Sequence, residues 1–348
     1  MQKQRFIPLL VVTVIVVVTA ALLSTARAPQ TTREKELLFP RLEASINDIT
    51  GIELRGYNTE VKLAKLGEGW VLAGNDNYPA DFDKVRALLI GFANFKVLAE
   101  KTRRPHLYPR LSVENPDSKG SRAIVTRLYN STGDEVAALI IGREKTGNAA
   151  NPFPGFYGRI PETETSLLLQ GQPDVSADPR DWFETGLFSI ASDTVSEVRI
   201  EHADSEPVLL QRSDPGQPDF QLQNIPEGKK AQSLVIINRM GALLEDMVAM
   251  DVRALDSVNW PGDTVTTRVS TFDGLVVTMR LAALDGQPFA NFRFEQDDAA
   301  APASESDGAT SSLNAGELNR RHADWVYQIQ DFKFRDLTRT MDDLVRNQ

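Results

Sequence analysis

Asp48-Ile-Thr-Gly-Ile-Glu-Leu54 and, 146 residues further on, Thr194-Val-Ser-Glu-Val-Arg-Ile200 are written in one pattern. Ile49, Ile52 and Leu54 in the first stand where Val195, Val198 and Ile200 stand in the second. In each, apolar residues are interleaved with polar ones, as in a strand with one face buried. The match continues outward. Val61 to Lys65 answers to Val208 to Arg212, and Gly69-Trp-Val-Leu72 answers to Asp219-Phe-Gln-Leu222, with turn residues between, so each copy opens with a three-stranded meander.

A helix is expected next in each copy. Phe82, Val85, Leu88, Phe92 and Phe95 recur at spacings of three and four, as do Leu234, Ile237, Met240, Leu244 and Met247, which places each set on one helical face. Asp81 and Ser233 are the expected N-caps. By this point the offset between the copies has grown to 152 residues, the effect of loop insertions.

Further strands follow, Ala123 to Asn130 and Glu135 to Ile141 in the first copy, Thr267 to Phe272 and Leu275 to Leu281 in the second. Asp273-Gly274 is a two-residue hairpin signal and Asn130 to Asp134 a longer turn. Phe156 to Ile160 matches Asn291 to Phe294, and Ser166 to Gln170 matches Trp325 to Gln330. The fold class read from this is α+β: two tandem repeats, each an antiparallel meander plus one helix and a further antiparallel sheet. Units are expected at 46–172 and 193–348, joined by a connector over 173–192 that holds a short helix around Asp181-Trp-Phe183. Residues 296–316, rich in Ala, Ser, Asp and Gly, read as a disordered insertion between two strands of one hairpin.

Ahead of the repeats lies an uncharged apolar run, Phe6 to Leu23. Its eighteen residues span roughly 27 Å as a helix, close to the thickness of a bilayer core, whereas the apolar part of a cleavable signal peptide is shorter. With Lys3 and Arg5 in front, residues 1–28 read as a cytoplasmic tail and uncleaved transmembrane anchor, and 29–45 as a stalk, helical from Thr32. The bulk of the chain is then expected outside the cytoplasm, because long domains translocate largely regardless of flanking charge.

Composition narrows the function classes. The 348 residues are 41% hydrophobic, enough for folded units, and carry a net charge of −10, which argues against nucleic acid as a partner. With no cysteine, disulfides, thiolate ligands and cysteine nucleophiles are excluded. The three histidines, His106, His202 and His322, are far apart in sequence and form no ligand pair, so no metal, cofactor or catalytic residue is assigned. Neither a G-x-S-x-G elbow nor a Walker loop occurs. The glycine-rich stretch Gly142 to Gly158 lacks the strand, turn and helix setting of a phosphate loop and reads as a long hairpin loop. Phe153, Phe156 and Tyr157 within it are large apolar groups in an otherwise polar segment, and mark it as a partner-contact loop. Trp70, Trp182 and Trp325 read as core, Trp260 as a loop residue.

On the anchor, the Asp48 to Leu54 strand, the Gly67-Glu-Gly-Trp-Val-Leu72 segment, the helix after it and the recurrence from Thr194, the chain resembles the bacterial family known as domain of unknown function 4340. The resemblance covers nearly the whole chain and supplies no catalytic residue. Members are linked with ABC transport systems of the gliding-motility auxiliary type. What the resemblance implies is a periplasm-facing accessory or scaffold of the inner membrane, partnered by an inner-membrane complex such as ABC transporter permease subunits, with lipid around its N-terminal helix. Two other readings stay open at this level: an envelope module for glycan or lipid, and a hydrolase with its site between the two units.

Overall fold

The computed structural model describes residues 36–147, 154–297 and 314–347. In the first unit β1 (Ile49–Gly56), β2 (Thr59–Leu66), β3 (Gly69–Leu72) and β4 (Tyr78–Pro79) precede a helix over Phe82–Asn94. β5 (Lys96–Glu100), β6 (Ile124–Asn130), β7 (Glu135–Lys145), β8 (Gly155–Arg159) and β9 (Ser166–Gln170) complete a nine-stranded antiparallel sheet of order β4-β3-β2-β1-β6-β7-β8-β9-β5. The junction then supplies β10 (Gly186–Phe188).

The second unit repeats the plan. β11 (Val195–His202), β12 (Ser205–Gln211) and β13 (Gln221–Leu222) are followed by β14 (Lys229–Ala231), a helix over Leu234–Gly241 and β15 (Met247–Val248). Then come β16 (Asp251–Ala254), β17 (Val265–Thr271), β18 (Leu275–Leu284), β19 (Gln287–Gln296) and β20 (Trp325–Gln328), in the order β13-β12-β11-β17-β18-β19-β20-β16. Strand for strand this is the first sheet without its β4 edge. The last strand, β21 (Val345–Asn347), pairs with β14, and β10 pairs with β15.

Registers make the repeat exact enough to equate single residues. Gly51 pairs with Ala64 and Ala64 with Val71, while Glu197 pairs with Gln211 and Gln211 with Gln221. Lys65 and Trp70 of the first copy therefore correspond to Arg212 and Phe220 of the second. Both expected caps form: the Asp81 carboxylate accepts from the amides of Asp83 and Lys84, and the Ser233 hydroxyl from that of Val235. Gly274, with φ of 87°, makes the expected β17–β18 turn.

Each sheet is covered on both faces near its centre. On one face Val85, Leu88 and Phe92 of the first helix meet Leu54, Leu63 and Leu139 in a core that runs on into the second unit. On the other, the Pro105–Arg110 turn brings Tyr108 over Val125 and Ile140. The second copy has the same arrangement, with Leu255, Val258 and Trp260 over Ala282, Phe289 and Val326. Burial of apolar surface, worth roughly 25 cal/mol per Å², is the stabilisation open to a chain without cysteines.

Several expectations need correction. The tail of the stalk is part of the first unit: Glu36 and Leu38 hydrogen-bond Val97 and Phe95, and Leu42 is buried, because Leu37, Leu38, Phe39 and Leu42 have apolar surface to cover. Residues 37–39 are not helical, and the helix there is a single turn over Leu42–Ser45. The second helix stops at Gly241, leaving Leu244 and Met247 buried in the turn and strand beyond it. β5 and β16 were not expected as strands; each closes its sheet beside the strand that comes last in that sheet along the chain, β9 and β20. A helix over Ala315–His322 begins inside the expected insertion, whose residues 298–313 lie outside the described residues. Helices over Asp331–Leu337 and Met341–Leu344 also follow β20. The connector does carry a short 3-10 helix, Pro179–Trp182. Among the described residues no helix is long and apolar enough to cross a membrane; Phe6 to Leu23 falls outside them.

Candidate functional site

The β2–β3 hairpin turns at Gly67, whose φ of 60° suits a residue without a side chain, and so carries Lys65 and Glu68 out beyond Trp70. Opposite it, the Asp81 cap starts the first helix abruptly, so that Phe82 stands at the helix end past the edge of the core. Between these elements lies a groove of about 370 Å³. Ile49, Trp70 and Leu89, all buried, form its floor, and Lys65, Glu68, Phe82, Arg86 and Ile90 form its rim.

The rim is the part that sequence periodicity misread. Phe82, grouped with the buried helix face, is 52% exposed, and Ile90 is 44% exposed. Phe82, Arg86 and Ile90 are spaced by four, a single stripe along the helix. Ile90 was legible as an outlier, being two residues from Leu88 and therefore off the buried face. Nothing in the pattern marks Phe82, since only the end of the sheet beneath it decides its exposure. Neighbouring lysines are engaged, Lys62 with Glu60 and Lys84 with Asp81, but Lys65 and Arg86 have no ion pair among the described residues.

On the opposite face of the first sheet a polar crevice of about 520 Å³ is lined by Arg110, Arg122, Arg143 and Glu114. Arg159 behind it is structural: it donates to the carbonyls of Val113 and Thr163 and lies 4.8 Å from the centre of the Tyr108 ring. Its burial lowers its affinity for the proton relative to a free guanidinium.

The loop residues proposed as partner contacts are placed differently from one another. Phe156 is fully buried in β8 against Phe95, ring centres 4.8 Å apart, so it is not an exposed contact. The pleat turns it inward and Tyr157 outward. Tyr157 is half-buried under the Arg143 cation, and Phe153 lies outside the described residues.

The junction between the copies, where a hydrolase would need a cleft, is filled with rings. Tyr78 of β4 makes edge contacts with Trp325, Phe183 and Tyr327 at centroid distances of 4.8, 5.4 and 6.1 Å. His322 is buried beside them, its Nδ1 3.0 Å from the Tyr327 hydroxyl. Burial, and then the Arg321 cation, push its imidazole down to about 4, while burial raises both tyrosines. Of the other histidines, His106 is exposed and His202 is bonded to the Thr338 carbonyl. Among the described residues no group of three or more His, Cys, Asp or Glu is arranged to hold a metal ion. Trp70 and Trp182 are core as expected, and Trp260 packs against the Arg280 cation.

Buried charges at the far end are likewise tied to the fold. Asp336 lies between Arg239 and Arg339, at 2.7 and 2.6 Å, and Lys333 donates to the carbonyls of Glu245 and Asp246. The groove beside the first helix differs in combining uncovered apolar side chains, Phe82 and Ile90, with cations that have no ion pair among the described residues.

Compared with known proteins, the family model described as Domain of unknown function (DUF4340) matches residues 70–268, more than half of the chain, from Trp70 in the groove floor to Arg268 in β17. No curated protein and no solved structure matches it.

Proposed function

The chain belongs to the DUF4340 family, and on that premise we propose that it is an accessory subunit of a bacterial inner-membrane complex, such as an ABC-type transporter. The Phe6–Leu23 segment anchors it, and the two units stand on the periplasmic side as a scaffold rather than an enzyme.

The groove between the β2–β3 hairpin and the first helix is the observation that carries this reading. A protein that works by contact keeps apolar surface uncovered, and here Phe82 and Ile90 flank a concave floor edged by Lys65 and Arg86, which have no ion pair among the described residues. Asp336, Lys333 and Arg159, by contrast, are tied to partners within the fold.

Cross-linking in cells followed by purification through the C-terminus tests it. The expected result is recovery of integral-membrane subunits in fixed proportion to the chain. Recovery of the chain alone, at a cross-linking yield that captures a known complex in the same cells, overturns the proposal.

A further inference from the structure

The second copy shows what the groove looks like when it is closed from within. At the position of Lys65 it has Arg212, which is buried, lies 4.4 Å from the centre of the Phe220 ring and donates to the carbonyls of Ser192 and Val195. Those two residues correspond to Ile46 and Ile49 of the first copy, and Phe220 to Trp70. At the position of Leu89 the second copy has Gly241, and a Cβ there would sit 2.2 Å from the Phe220 ring, so the ring occupies that space. At the position of Arg86 it has Asn238, bonded to Asp219 and to the Phe220 amide. Three corresponding positions that fill the site in the second copy leave it open in the first.

We propose that the first copy's groove receives an amphipathic helix of a protein partner, with apolar side chains on the Ile49–Trp70–Leu89 floor and carboxylates meeting Lys65 and Arg86. The stripe of Phe82, Arg86 and Ile90 runs two turns along the helix, the repeat with which a second helix would pack beside it. Charge sets the polarity of the partner. The chain as a whole is acidic, yet Lys65 and Arg86 stand at this rim without an ion pair among the described residues, against one carboxylate, Glu68. A guest helix with glutamates beside its apolar ridge completes both pairs; one with lysines opposes them. This inference rests on the accessory-subunit reading and names the chemistry of the contact.

Two synthetic 18-residue helical peptides test it, sharing one leucine ridge and flanked by glutamates in one and lysines in the other, titrated against the full chain in detergent. The glutamate peptide is expected to bind about tenfold more tightly, the sum of two rim pairs. In the variant Lys65→Glu with Arg86→Glu the preference is expected to reverse. A gained affinity for the lysine peptide cannot come from misfolding. Equal binding of both peptides, or an unchanged preference in the double variant, overturns the proposal. Binding to phosphatidylglycerol vesicles that is lost in the same variant, with neither peptide bound, overturns it in favour of a lipid surface. If membrane subunits co-purify while both peptides fail, the groove assignment falls and the accessory reading stands; if the peptides bind and no subunit co-purifies, the reverse holds.

Discussion

His322 sits at 5% exposure among Phe188, Phe294 and Tyr327, where a charged imidazole would lose its hydration. With its proton affinity pushed down to about 4, the folded protein holds it neutral, whereas the unfolded chain takes up a proton near the ordinary 6.5. The stabilisation is therefore complete above pH 6.5 and is lost as pH falls from there towards 4, by on the order of a few kcal/mol. Denaturant unfolding from pH 7.5 to 4.5 should show this loss. In His322→Gln, which keeps a hydrogen-bonding group without titrating, the slope between 6.5 and 4.5 should be shallower, and an unchanged slope would remove His322 from the account. The sequence showed only that this histidine precedes a strand, because burial of a single ring depends on partners from β10, β19 and β20 that meet only on folding.

Among elements, the two helices show how the same plan was finished differently. Both are set by their caps and by apolar spacing, features local to the chain and therefore legible in it. What lies beneath each helix is not local. Gly241 reads as an ordinary helix end, yet Phe220 has moved under it, and Gly241→Ala is expected to destabilise by about 1–3 kcal/mol through overpacking, outweighing the better helix propensity of alanine. Gly262→Ala, with nothing within 4 Å of the new methyl, should change stability by no more than about 0.5 kcal/mol. Chemical denaturation of the two variants side by side measures the difference, and equal midpoints would refute the packing of Phe220. The edge strands β5 and β16 escaped sequence reading for a related cause: each is short, and its partner, β9 or β20, lies far along the chain.

Across the whole molecule the copies are joined rather than merely tethered. The turn before β4 projects Asn75 and Asp76 into the second copy, where Asn75 donates to the Asp251 carboxylate at 2.7 Å and Asp76 accepts from the Ala254 amide and the Ser257 hydroxyl. Tyr78 continues the seam with its three ring contacts, and the apolar core is continuous through it. Unfolding is accordingly expected as one calorimetric transition. Tyr78→Ala should cost about 3 kcal/mol and split it into two, whereas Tyr78→Phe, which keeps the rings and loses one hydroxyl, should cost about 1 kcal/mol and leave it single. A single transition in Tyr78→Ala would show that the remaining core and polar contacts couple the copies without it.

By itself the sequence determined the duplication, the strand and helix alternation within each copy, the caps, the hairpin turns, the family and the apolar segment ahead of them, because all of these are written in short-range periodicity or in resemblance along the chain. Only the tertiary structure decided that Phe156 is core, that Phe82 is not, and that Arg212 closes in one copy the groove that Lys65 leaves open in the other. Those outcomes depend on which surfaces meet at distances of tens to hundreds of residues. A side chain's own pattern says that it prefers burial; the neighbours brought to it by folding determine whether burial is available.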